Sequence, residues 1–253
     1  MSPGPEPVSP KPESPKPESP KPVSGFEAFA TFHRPPDALS PVESALEELA
    51  VVTRNLLAEI ITSVADPSAI GRATASVADA VALLAGAEHR PPRNVAEEEM
   101  SPRTSQFTLR SPLVGRINPM SPPMHVVING LGMDAEIVGR VTYPIQFEGP
   151  PGCVHGGFLA MAFDELLGYA QAESGNPGMT AHIEVDFRAP SPLGTELVYR
   201  ARCDRVEGRK IHVSADLFHG DTLCAQARAI FISMRPEVFE QLMALREQRR
   251  SGT

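Results

Sequence analysis

In the second half of the chain apolar and polar positions alternate in five runs. These are Ala135, Ile137, Gly139 and Val141; Ala181, Ile183, Val185 and Phe187; Leu197, Tyr199, Ala201 and Cys203; Ile211, Val213, Ala215 and Leu217; and Ala225, Ala227, Ala229 and Phe231. A period of two puts each set on one face of a strand and predicts a core on that side only. Turn sequences at Ser191-Pro192-Leu193-Gly194, Glu207-Gly208 and His219-Gly220-Asp221 separate the last four runs, which predicts an antiparallel meander. Between the first and second runs, Gly156 to Ala172 is apolar nearly all round, with Phe158, Leu159, Met161, Phe163, Leu166, Leu167 and Tyr169. That is the pattern of a helix enclosed by other structure. The expected fold class is α+β, a long buried helix wrapped by a curved antiparallel sheet. Ahead of these runs, strand-like sequence begins near Phe107, and the prolines of Ser111 to Met124 predict an extended segment lying along an edge.

Helical spacing appears again upstream. Ser40-Pro41-Val42-Glu43 supplies an N-cap, a first-turn proline and a glutamate able to reach back. Val42, Leu46, Leu49, Leu56, Ile60 and Val64 follow at helical period. Asp66-Pro67 then opens a second helix through Ile70, Val77, Val81 and Leu84, closing near Gly86. The pair forms an N-terminal helical hairpin over residues 40–87, too short to be stable alone, so it must pack on the downstream domain or on its twin. Residues 1–25 repeat Ser-Pro-Lys-Pro-Glu and form a disordered Pro-rich tail. A polar, Pro-rich linker covers 88–105, the main domain 106–235, and a C-terminal helix on Val238, Phe239, Leu242 and Leu245 with a tail 236–253.

Composition narrows the function. The chain has 253 residues and a net charge of −8, a balance that argues against nucleic acid as a partner. Its three cysteines form no paired framework and its seven histidines have no ligand spacing, so a reducing compartment and no metal are expected. No early apolar run resembles a signal peptide and no membrane span is expected, which leaves a cytoplasmic location as the default.

Two features carry chemistry. A carboxylate at Asp164 is costly inside an apolar helix unless it is paired or used. His155-Gly156-Gly157 opens that helix with two residues lacking Cβ, where the unpaired first-turn N–H groups can meet an oxyanion closely. Gly157 and Asp164 share a helix face but stand roughly 10 Å apart along its axis. If both act on one carbonyl, the carboxylate must come from a second copy. Glu165 points about 100° away and is read as structural. Cys153 adjoins the motif but has no histidine-and-acid arrangement to make it a nucleophile.

The strand, the His-Gly-Gly entrance, an acid nine residues after the histidine and four antiparallel strands together resemble the hot-dog-fold acyl-CoA thioesterases, in the branch of the phenylacetyl-CoA-type enzymes and the mammalian thioesterase-superfamily members. The resemblance covers roughly Phe107 to Met234. It is carried by Phe147-Glu-Gly-Pro-Pro-Gly-Cys-Val-His-Gly-Gly157, Asp164 and Val206-Glu-Gly-Arg-Lys210. It implies a cofactor-free hydrolase of fatty acid metabolism that splits acyl-CoA into CoA and a carboxylic acid, working as a homodimer or homotetramer. Asp164 is then general base or nucleophile, the partner's Gly157 N–H polarises the carbonyl, and Thr180 places the water or the carboxylate. His155 opens the helix beside the thioester; whether it fixes the turn or joins the reaction stays open. Asp186, Arg188, Arg209 and Lys210 fall where the family binds the CoA portion. Gly149 departs from members that carry asparagine six residues before the histidine. Two other functions share these residues: a non-catalytic acyl-CoA sensor or scaffold, and a hot-dog dehydratase or hydratase.

Overall fold

The computed structural model describes residues 39–87, 106–120, 122, 124–176 and 178–235, with 237, 238, 241, 244 and 245 beyond them. The Pro-rich tail at 1–25, the linker at 88–105 and most of the expected C-terminal helix lie outside the described residues.

Helix α1 spans Pro41–Thr62 and begins at a reciprocal cap. The Ser40 hydroxyl accepts from the Glu43 N–H at 3.3 Å, and the Glu43 carboxylate accepts from the Ser40 N–H at 2.8 Å, so two otherwise orphaned donors are satisfied. Helix α2 spans Pro67–Ala85, where Asp66 Oδ1 accepts from the N–H groups of Ser68 and Ala69. The two helices differ in what they bury. Ala50 of α1 is buried, Glu47 pairs with Arg116 through both carboxylate oxygens at 2.7 Å, and Arg54 donates to the Asn118 carbonyl at 3.1 Å. No residue of α2 is buried.

The strand expected from Phe107 is instead a short helix, α3, at Gln106–Arg110, followed by turns rather than an extended run. The buried Ser111 explains the turn. Its hydroxyl accepts from the Leu113 and Val114 N–H groups and donates to Glu165 at 2.8 Å, which offers the backbone local partners in place of a ladder.

Six strands then form one antiparallel sheet. They are β1 (His125–Asn129), β2 (Glu136–Thr142), β3 (Gly178–Phe187), β4 (Glu196–Glu207), β5 (Lys210–His219) and β6 (Thr222–Ser233), in the order β1-β2-β4-β5-β6-β3. The long helix α4 (Gly156–Ala172) crosses the inner face. The alternating residues of β2, β4, β5 and β6 point at it: Ile137, Val141, Leu197, Tyr199, Ile211, Val213, Leu217, Ala227 and Phe231 are all buried. Helix and sheet meet closely at Gly139, where a Cβ would stand 2.8 Å from Leu166 Cδ1. The outer face carries cross-strand ion pairs, among them Arg200–Glu136 at 2.9 Å and Arg228–Glu184 at 3.7 Å. Its exposed charges have partners without needing a cover.

Strand β3 departs from simple alternation. Its register against β6 shifts between Thr180 and His182: Thr180 faces Phe231, whereas His182 faces Ile230. The extra residue is Ala181. This bulge puts Thr180 on the inner face with Ile183, Val185 and Phe187, and leaves the expected inward Ala181 exposed. Such bulges re-aim a side chain at the cost of one unpaired residue.

Candidate active site

The segment 147–155 folds back on itself before α4 begins. The His155 N–H donates to the Phe147 carbonyl at 2.8 Å and the Gly149 N–H to the Cys153 carbonyl at 2.9 Å. Glu148 closes the turn by accepting from the Gly152 N–H at 2.7 Å. The loop is also tied to the segment after β3, since the Val154 N–H donates to the Ser191 carbonyl and the Leu193 N–H to the Gly152 carbonyl. Gly149 is required by this path. A Cβ there would stand 2.7 Å from His155 Cα and 3.0 Å from its Cβ, so an asparagine cannot enter without moving the histidine.

His155 is the N-cap of α4. Its Nδ1 accepts from the Gly157 N–H at 3.0 Å, which leaves Nε2 as the nitrogen carrying the proton in the neutral ring. The ring also meets Phe158 edge to face, and Phe158 in turn packs on Phe147. The expected oxyanion donor is thus engaged by a side chain of the same chain, and it must leave His155 Nδ1 before it can meet an oxyanion.

Asp164 is exposed, contrary to the buried position expected from the helix pattern. The reason is that α4 is covered on one side only. Leu159, Ala162, Phe163, Leu166 and Leu167 are buried, whereas Gly157, Met161 and Asp164 share an open face. On that face Asp164 Oδ1 accepts from Thr180 Oγ1 at 2.9 Å, a contact made possible by the Ala181 bulge. Seven residues up the helix lies the Gly157 end, where Phe187, 56% exposed, sits over the helix entrance; a Cβ on Gly156 would stand 3.2 Å from its Cζ. Phe187 is a site-bordering residue that alternation alone read as core.

The other expected residues divide into two places. Asp186 and Arg188 form an exposed pair at 3.1 Å beside the C-terminal end of β3. Arg209 donates through Nε and Nη2 to the Ser233 carbonyl, and Lys210 is exposed next to it. Ser233 pairs with Gly178 at the start of β3. The two basic groups therefore stand at opposite ends of one ten-residue strand and do not meet within a chain. Cys153 is half-buried and, like Cys203 and Cys224, unpaired with another cysteine. Among the described residues no group of His, Cys, Asp and Glu side chains is arranged to hold a metal.

Comparison with known proteins adds similarities to this geometry. Residues 151–228 match the thioesterase superfamily. The acyl-coenzyme A thioesterase THEM4 of Xenopus laevis is 35% identical over 91 residues, covering 35% of this chain and 41% of that protein. THEM4 of Rattus norvegicus is 36% identical over 95 residues, covering 37% of this chain and 41% of its own. The match thus spans well under half the length of those relatives. A crystal structure of a thioesterase superfamily protein superposes with a TM-score of 0.62 at 27% identity, over 79% of this chain and 97% of that one.

Proposed function

We propose, from the premise that residues 151–228 are a thioesterase superfamily domain, that this protein hydrolyses an acyl-CoA thioester to CoA and a carboxylic acid. The observation that carries the reading is the Thr180–Asp164 hydrogen bond at 2.9 Å on the same exposed helix face as Gly157. A carboxylate held by one donor keeps its second oxygen free. In this reading it removes a proton from water, which adds to the thioester carbon; alternatively the carboxylate attacks first and water cleaves the resulting anhydride. Either way the C–S bond breaks and the CoA thiolate takes up a proton. The Gly157 N–H, released from His155 Nδ1 on substrate binding, stabilises the oxyanion in the tetrahedral intermediate. The THEM4 relatives' description as acyl-coenzyme A thioesterases supports the substrate class.

The site is completed by a second chain. Gly157 and Asp164 of one helix are about 10 Å apart, too far to serve one carbonyl. Strand β3 is an end strand with one described neighbour, β6. Two copies paired antiparallel along their β3 edges, about a two-fold near Ile183 and Glu184, set Phe187 of one beside Thr180 of the partner subunit. The Gly157 end of one helix then meets Asp164 of the partner subunit. The same symmetry brings Arg188 to Arg209 and Lys210 of the partner subunit, gathering cations suited to the CoA phosphates. The assembly is a homodimer or a homotetramer built from it, and the protein works in the cytoplasm on acyl-CoAs of fatty acid metabolism.

Subunit mixing tests this. Asp164→Asn and Gly157→Pro, which removes the N–H in a first turn that tolerates proline, should each abolish CoA release. Equal mixing after dissociation should restore about a quarter of wild-type activity, because half the dimers are mixed and each has one intact site. Loss in Asp164→Asn without recovery on mixing refutes the shared site. Binding of acyl-CoA by the wild type without release of CoA from any aryl, medium-chain or long-chain ester refutes the enzyme and favours a sensor.

A further inference from the structure

Helix α2 is apolar and bare among the described residues. Its only charged side chains are Arg72 and Asp79, none of its residues is buried, and Ile70, Val77, Val81, Leu83 and Leu84 are 40–79% exposed. It is nonetheless attached to a fixed point. Four residues, Ser63 to Ala65 and the capping Asp66, join it to α1, whose Glu47 and Arg54 are bonded to the 116–118 segment. Ile60 and Ile61 at the adjoining end of α1, and Val64 in the connection, are exposed too. Monomers rarely present so many apolar side chains on one element.

The spacing identifies the partner. Ile70, Val77 and Leu84 recur every seven residues, and Ala73 and Ala80 fall between them. This makes one seam of alternating large and small side chains at coiled-coil period. Such a seam complements its own reverse: in an antiparallel pair Val77 lies over Ala80 of the partner subunit, and Leu84 over Ala73 of the partner subunit. The flanking Thr74, Ser76, Val81 and Leu83 carry no charge, so nothing on either side repels a like copy. By length and composition α2 would also span a bilayer. Arg72 and Asp79 are costly in hydrocarbon, however, and the large–small alternation has no purpose against lipid.

We propose that α2 is a docking surface for a second copy of this chain, two α2 helices packing antiparallel on the Ile70–Ala73–Val77–Ala80–Leu84 seam. This contact is separate from the β3 edge and does not depend on the catalytic reading; with both in place the chain assembles beyond a dimer. The test is sedimentation velocity on the full chain with Val77→Asp and Ala80→Leu, together with flotation on vesicles of phosphatidylcholine and phosphatidylglycerol. Val77→Asp puts a charge in the seam. Ala80→Leu makes the helix more apolar while filling the gap that Val77 of the partner subunit occupies. Both variants should halve the sedimenting mass and keep wild-type far-ultraviolet circular dichroism. An unchanged mass in both variants overturns the proposal, as does a rise in mass for Ala80→Leu, which marks unspecific apolar association. Flotation of the wild type, strengthened by Ala80→Leu, overturns it in favour of a lipid surface.

Discussion

Replacing Thr180 by valine removes one hydrogen bond from the proposed site and little else. Valine keeps the β-branch and nearly the volume of threonine, so the bulged strand loses no packing. What goes is the 2.9 Å bond from Thr180 Oγ1 to Asp164 Oδ1. A bond to an ionised acceptor is worth about 1.5–3 kcal/mol when shielded from water. Both residues are exposed in the single chain, where solvent competes, so the change in folding stability should stay below about 1 kcal/mol. Within an assembled site the full value applies. If the hydroxyl holds the carboxylate in its reactive rotamer, kcat should fall about 10- to 100-fold, since each 1.36 kcal/mol is tenfold in rate. KM should change much less, because the bond does not touch the CoA portion. The assay is thiol release under saturating acyl-CoA for wild type, Thr180→Val, Thr180→Ser and Asp164→Asn. Serine returns the hydroxyl and should recover most of the rate. A folded Thr180→Val with kcat within about twofold of wild type, or a serine variant no better than valine, refutes the positioning role.

Other perturbations follow from the same geometry. Gly149→Asn places a Cβ 2.7 Å from His155 Cα and should cost about 1–3 kcal/mol through forced displacement, read as a lower urea midpoint with lower activity; an unperturbed midpoint would mean that the loop yields freely. Ser111→Ala leaves the Leu113 and Val114 N–H groups without their shared acceptor and takes a donor from Glu165, a loss of about 1–3 kcal/mol by chemical denaturation. Tyr143, Tyr169 and Tyr199, all the tyrosines of the chain, are buried. Burial pushes the Tyr143 phenol up to about 12 and raises the other two as well. Unfolded phenols ionise near pH 10 while the folded ones keep their protons. Stability should therefore be intact below pH 10 and fall as the pH rises towards 12, by about 3 kcal/mol for Tyr143 alone. Tyrosinate absorbance should appear only with loss of the native circular dichroism; a reversible phenol titration near pH 10 in folded protein contradicts this.

Periodicity located the strands whose partners lie in the same chain. The inward residues of β4, β5 and β6 are buried one after another, from Leu197 to Phe231, because each is flanked on both sides by strands that the turns determine. It missed the short helix α3, where Gln106–Arg110 contains Phe107, Thr108 and Leu109, residues that suit a strand as well as a helix. The outcome there depends on Ser111 and Glu165, fifty-four positions apart. The Ala181 bulge was equally out of reach: an alanine fits an inward or an outward position, and only the register against Phe231 and Ile230 decides. The disagreements at α4 and β3 are of another kind. Met161 and Phe187 read as core and stand exposed at 41% and 56%; Asp164 read as a buried acid and faces solvent. A residue pattern reflects burial in the working assembly rather than in a single chain. Where Met161 and Phe187 are bare on the elements that carry the hydrogen-bonded Asp164 and Thr180, the mismatch falls on the surface that the proposed second copy would cover. The same holds for α2, whose apolar seam is as regular as that of any buried helix in the fold. The two bare surfaces differ in one respect that makes them separable by experiment. That of α4 and β3 carries Asp164, Gly157 and Thr180, so its loss should cost activity. That of α2 carries no group able to react with a thioester, so its loss should cost only mass.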